Sequence, residues 1–91
     1  MSRIARFVRI TGQVQGVAYR AWTRGEAEKL GLAGWVRNED DGSVTALFAG
    51  EEQAVTRMVT DCWSGPGAAE VRNVEEREAE PPEGTGFEIR H

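Results

Sequence analysis

An α+β sandwich, with two helices covering one face of a mainly antiparallel sheet, is the fold class this sequence predicts. Three observations carry the prediction. The chain has 91 residues, the size of one domain, so residues 1–91 are expected to fold as a unit. Two apolar stripes of helical period are separated by a pair of strand-like runs joined by a turn signal. Further strand-like runs stand before the first helix and after the second, so neither helix links a simple repeat.

In chain order, Ile4 to Ile10 reads as a strand with Ile4, Val8 and Ile10 on one face. Arg6 falls on that same face and Phe7 on the other, as at an edge or an end, and Thr11-Gly12-Gln13 is expected to break the strand. Tyr19, Thr23, Ala27 and Leu30 form one helical stripe, and Gly31 is placed to stop that helix in the left-handed conformation, with Leu32 as its apolar follower. Gly34 to Asn38 reads as a strand, Asp40-Asp41-Gly42 as a turn, and Val44 to Gly50 as the return strand. Glu51-Glu52 opens a second helix, suited by charge to its positive end. Its core stripe is Val55, Met58, Val59 and Cys62, and Gly65-Pro66-Gly67 ends it. Residues 69 to about 79 form a strand in which Val71 and Val74 are out of phase, the mark of a bulge. Phe87 and Ile89 make a last short strand. The order strand, helix, strand, strand, helix, strand, strand corresponds to the ferredoxin-like split βαβ sandwich.

Charge narrows the function. The chain nets −4, but residues 1–37 net +5 and the remainder −9. An anion should therefore favour a surface built from the first third. An acidic chain without a long basic stripe is a poor nucleic-acid binder. The run Val44 to Gly50 also lacks the aromatic motif of an RNA-recognition strand. One cysteine, Cys62, excludes an intrachain disulfide and fits a reducing compartment. The N-terminus has no apolar stretch of signal-peptide length, and nothing is long enough to span a membrane, so a cytoplasmic location is expected.

The segment richest in chemistry is Gly12-Gln13-Val14-Gln15-Gly16-Val17-Ala18-Tyr19-Arg20, between a strand and a helix. Backbone N–H groups at such a junction can converge on an anion, and Arg20 in the first turn adds a planar fork of donors. Taken alone, these residues read more readily in structural terms, Gly16 as a turn glycine, Arg20 as a solvated charge and Asn38 as a residue ending a strand.

V-Q-G-V-A-Y-R (Val14 to Arg20) followed by L-G-L-A-G-W-V-R-N (Leu30 to Asn38) resembles the double signature of the acylphosphatase family. Asp41-Gly42-Ser43-Val44, Gly65-Pro66 and Phe87-Glu88-Ile89-Arg90 are similar to that family too, so the resemblance covers nearly the whole chain. Ala18 and Tyr19 stand where the family often has another small residue and Phe. The resemblance implies hydrolysis of small-molecule acyl phosphates to a carboxylate and phosphate. It implies that Arg20 matches the phosphate-binding arginine and that Asn38 matches the asparagine holding the attacking water. Gln15, Gly16, Val17, Ala18 and Tyr19 match the loop whose amides wrap the phosphate.

Several other readings are set aside. Glu39, Asp40 and Asp41 crowd acid beside Asn38, which repels an anion unless these side chains point away. As metal ligands they diverge, so no metal and no cofactor are expected. Cys62 reads as core packing, Trp22 and Trp35 as packing, and His91, last in the sequence, as frayed. A binding module that holds carboxyl phosphates without turnover is the main alternative. A module of a larger carbamoyl-transfer protein is disfavoured by the chain's length. A monomer is expected, without nucleic-acid or membrane partners.

Overall fold

In a computed structural model describing residues 3–91, the chain forms β1 (Arg3–Gln13), α1 (Tyr19–Lys29), β2 (Ala33–Asn38), β3 (Val44–Glu51), α2 (Glu52–Cys62), β4 (Glu70–Ala79) and β5 (Phe87–Arg90). Met1 and Ser2 of the N-terminal reading lie outside the described residues. The five strands make one sheet in the order β4-β1-β3-β2-β5, antiparallel except for the β2–β5 pair. This is the predicted ferredoxin-like sandwich, with a parallel edge strand added beside β2.

Both helices pack on one face of the sheet because the apolar stripes face it. From the sheet, Val8, Ile10, Val36, Val44, Ala46 and Phe48 are fully buried. From the helices, Tyr19, Thr23 and Ala27 meet them from α1, and Val55, Met58, Val59 and Cys62 from α2. Burying each large apolar side chain contributes about 1.5–3 kcal/mol. Phe48 stacks on Phe87 with ring centroids 5.7 Å apart, which ties β5 into this core. Gly31 ends α1 at φ 70°, with its N–H bonded to Glu28 and that of Leu32 to Ala27, as its place in the sequence predicts.

One expectation is corrected. Thr11-Gly12-Gln13 does not end the first strand, which continues to Gln13. The irregularity is absorbed across the sheet. Thr11 pairs with Asn73 while Gly12 pairs with Val71, so Arg72 is the extra residue of a bulge in β4. That bulge is the phase break between Val71 and Val74. β4 is an edge strand rich in charge, which protects it from pairing with other chains. Among the described residues no helix is long and apolar enough to cross a membrane.

Candidate active site

The connection from β1 to α1 is braced where it leaves β1. Val14 is buried in the core. Gln15 Nε2 donates to the carbonyl oxygens of Glu39 (2.8 Å) and Ser43 (2.9 Å), stapling the loop to the β2–β3 hairpin. Between these anchors and the helix, Gly16 and Ala18 both have positive φ, 75° and 65°. Left-handed backbone costs an alanine about 1–2 kcal/mol, so the surrounding contacts must hold Ala18 there. The consequence is an uncapped helix start. No side chain caps α1, and the N–H groups of Gly16 to Ala21 donate to no backbone carbonyl among the described residues. Unpaired donors and the positive end of the helix dipole favour an anion at this point.

Tyr19 fixes the direction in which α1 leaves. Its ring is buried and tilted against Trp22, and its hydroxyl donates to the Cys62 carbonyl at 2.6 Å, locking the start of α1 to the end of α2. Gly65 makes room for that ring. A Cβ at Gly65 would lie 2.7 Å from Tyr19 Cε2, and its φ of +64° disfavours any side chain. Burial raises the Tyr19 phenol well above its ordinary value and pushes the Cys62 thiol up to about 12. Neither ionises near neutrality, so Cys62 serves packing and is no nucleophile.

With Tyr19 turned inward, Arg20 faces an open cleft of about 580 Å³. Gly16, Ala18, Tyr19, Arg24 and Asn38 line the same cleft, and β5 with His91 closes its other wall. Arg20 Nη1 donates to the Arg90 carbonyl at 3.1 Å and lies 3.2 Å from His91 Nδ1. These contacts hold the guanidinium by one nitrogen. Its Nε and Nη2 make no hydrogen bond among the described residues. Asn38 ends β2 on the helix-covered face, opposite Val44 of β3, and its carboxamide has no protein hydrogen-bond partner among the described residues.

The acids beside Asn38 do not face this cleft. Glu39 accepts from Arg37 Nε (2.7 Å) and Thr45 Oγ1 (2.6 Å). Asp41 accepts from Arg9 Nη1 (2.8 Å) and from the N–H (2.9 Å) and hydroxyl (2.6 Å) of Ser43. Arg9, Arg37 and Thr45 stand in one row across the helix-free face, so the two carboxylates are drawn to the far side of the sheet. The Thr45 hydroxyl, then Arg37, hold Glu39 below the usual carboxylate range. The Ser43 hydroxyl and N–H do the same for Asp41. Among the described residues no three His, Cys, Asp or Glu side chains are arranged to hold a metal ion.

Residues 6–89 match the family model for acylphosphatases. The chain belongs to the acylphosphatase family. An acylphosphatase of Rhizobium meliloti (strain 1021) is 59% identical over 88 residues, covering 96% of this chain and 93% of that protein. Two solved acylphosphatase structures share the fold. That from Coxiella burnetii has a TM-score of 0.93 at 34% identity, covering 97% of this chain and 93% of its own. That from Bacillus subtilis has a TM-score of 0.91 at 35% identity, covering 97% and 99%.

Of the residues the acylphosphatase signature singles out, the fold brings Gly16, Ala18, Tyr19, Arg20 and Asn38 to one cleft. Val17 packs partly against the core. The side chain of Gln15 braces the hairpin, leaving its backbone as the part available to a ligand. The other wall, formed by β5 and His91, carries no signature of a site in the sequence. His91 does not fray away from the site but lies against Arg20, because β5 runs parallel to β2 and delivers the chain beside α1. No local signal announces that. Arg24 lines the cleft too, and its position four residues after Arg20 places both on one helix face.

Proposed function

We propose that this acylphosphatase hydrolyses the carboxyl–phosphate bond of acyl phosphates, without a metal, to a carboxylate and inorganic phosphate. The observation that carries the reading is the convergence of Arg20, an uncapped helix start and the unpartnered Asn38 carboxamide on one cleft. The phosphoryl group sits at the start of α1, bound by Arg20 and the amides of the Gln15–Tyr19 loop. A water donates a hydrogen bond to the Asn38 side-chain oxygen and attacks phosphorus in line with the scissile bond. The new bond joins water oxygen to phosphorus. The bond from phosphorus to the acyl oxygen breaks, and its electron pair leaves with the carboxylate.

An amide cannot take a proton at neutral pH, so Asn38 orients the water and a phosphoryl oxygen accepts its proton. A carboxylate is a stable leaving group, so the site needs no general acid. Positioning and fixed positive charge suffice, as is general for phosphoryl transfer.

The test is hydrolysis of benzoyl phosphate in excess EDTA by the wild type and Asn38→Ala. The wild type should turn over. Asn38→Ala should lose about 3–4 kcal/mol of transition-state stabilisation, seen in kcat with KM nearly unchanged. Phosphate should still protect the variant against unfolding. Phosphate binding without turnover by the wild type would favour a binding module instead.

A further inference from the structure

Arg24 lines the cleft with Arg20 and Asn38 and is exposed to it. Among the described residues it makes no hydrogen bond or ion pair. The nearby charges are otherwise engaged. Glu88, on the opposite wall, accepts from Arg90 Nε at 3.0 Å and pairs with its Nη2 at 2.9 Å. Glu26 pairs with Lys29 at 3.2 Å. Glu28 stands one turn beyond Arg24, at the spacing that favours pairing, yet the two do not close.

Arg24 follows Arg20 by one helical turn, so their Cβ atoms are about 5–6 Å apart on one face. A phosphoryl group at the start of α1 already has Arg20 and the free amides. The helix dipole acts within the first turn only, so a second guanidinium further along is a separate centre of positive charge. With the phosphoryl group bound at the start of α1, Arg24 is the other arginine lining the cleft that takes the rest of the substrate.

We propose that Arg24 is a specificity-determining residue that binds an anionic substituent on the acyl group, selecting acyl phosphates that carry a second anionic group. This rests on the acyl-phosphate reading above. The shared chemistry is a carboxylate or phosphate a few bonds from the acyl carbon, a match for the guanidinium fork.

The experiment compares matched substrates and matched inert ligands. Succinyl phosphate and butyryl phosphate differ by a terminal carboxylate. The wild type should favour succinyl phosphate by about fivefold in kcat/KM, the scale of one exposed charged contact. Arg24→Gln should erase that ratio, Arg24→Lys should keep part of it, and Arg24→Glu should reverse it. Calorimetry with 4-phosphonobutanoate, propane-1,3-bisphosphonate and butylphosphonate reads the same subsite without turnover and distinguishes carboxylate from phosphate. Tighter binding of either ligand with a second anionic group in the wild type, lost in Arg24→Gln, supports the proposal. Equal preference in the wild type for ligands with and without the second anionic group overturns it, as does an Arg24→Gln variant that weakens all of them by one factor. A charge preference in binding with no acyl phosphate hydrolysed would instead sink the hydrolytic reading and leave the second-anion subsite standing.

Discussion

The two faces of the sheet treat polar groups in opposite ways. On the helix-free face Arg9, Arg37, Glu39, Asp41, Ser43 and Thr45 bond to one another, and Arg37 and Arg90 lie over the Trp35 ring at 5.3 and 5.0 Å. At the cleft on the other face Asn38 and Arg24 have no protein partner among the described residues, Arg20 is held by one nitrogen, and the amides at the start of α1 are unpaired. Arginines stand on both faces, so the presence of a cation does not separate them. Satisfaction does. A network whose members bond to each other has little capacity left for a ligand, whereas unpaired groups gathered in a cleft await one.

The largest effect expected on this contrast is at Arg20. Arg20→Lys keeps the charge but loses the planar fork, and should lower kcat/KM for benzoyl phosphate at least about a hundredfold while the protein stays folded. Near-normal turnover would remove Arg20 from the phosphate site. Next comes Gly65→Ala, which drives a methyl into the Tyr19 ring and strains the backbone. It should cost about 2–3 kcal/mol in urea unfolding, and kcat/KM should fall with it because Tyr19 precedes Arg20. Unchanged stability would mean that Tyr19 moves aside freely.

Asp41→Asn probes the satisfied face. The folded-state carboxyl of Asp41 is held low, so its stabilisation is present above the unfolded carboxylate range. It is lost as pH falls through the lowered folded value. The variant should therefore be less stable than wild type at pH 7, and the difference should shrink below about pH 4. A difference independent of pH would assign the effect to packing.

The smallest effect is at Ala18. Ala18→Gly relieves left-handed strain but frees the unfolded chain, for a net gain of at most about 1 kcal/mol by thermal unfolding. A clear loss of stability would show that the alanine methyl is packed rather than strained.

The helix stripes, the stop at Gly31, the hairpin and the bulge in β4 were legible in the sequence, because each depends on residues close in the chain. The Val14–Arg20 and Leu30–Asn38 signatures, being long and paired, also carried the family. The break expected at Thr11-Gly12-Gln13 failed because pairing with β4 outweighs a local glycine signal. The face to which Glu39 and Asp41 turn was decided by Arg9, Arg37 and Thr45, which only the sheet register brings together. Tyr19 needs Gly65 across the core, and Arg20 meets His91 across 71 positions of chain. Local propensity and period are properties of neighbours in sequence. Which polar groups are satisfied, and which are left facing a cleft, depends on contacts between distant segments that exist only once the sheet has closed its order.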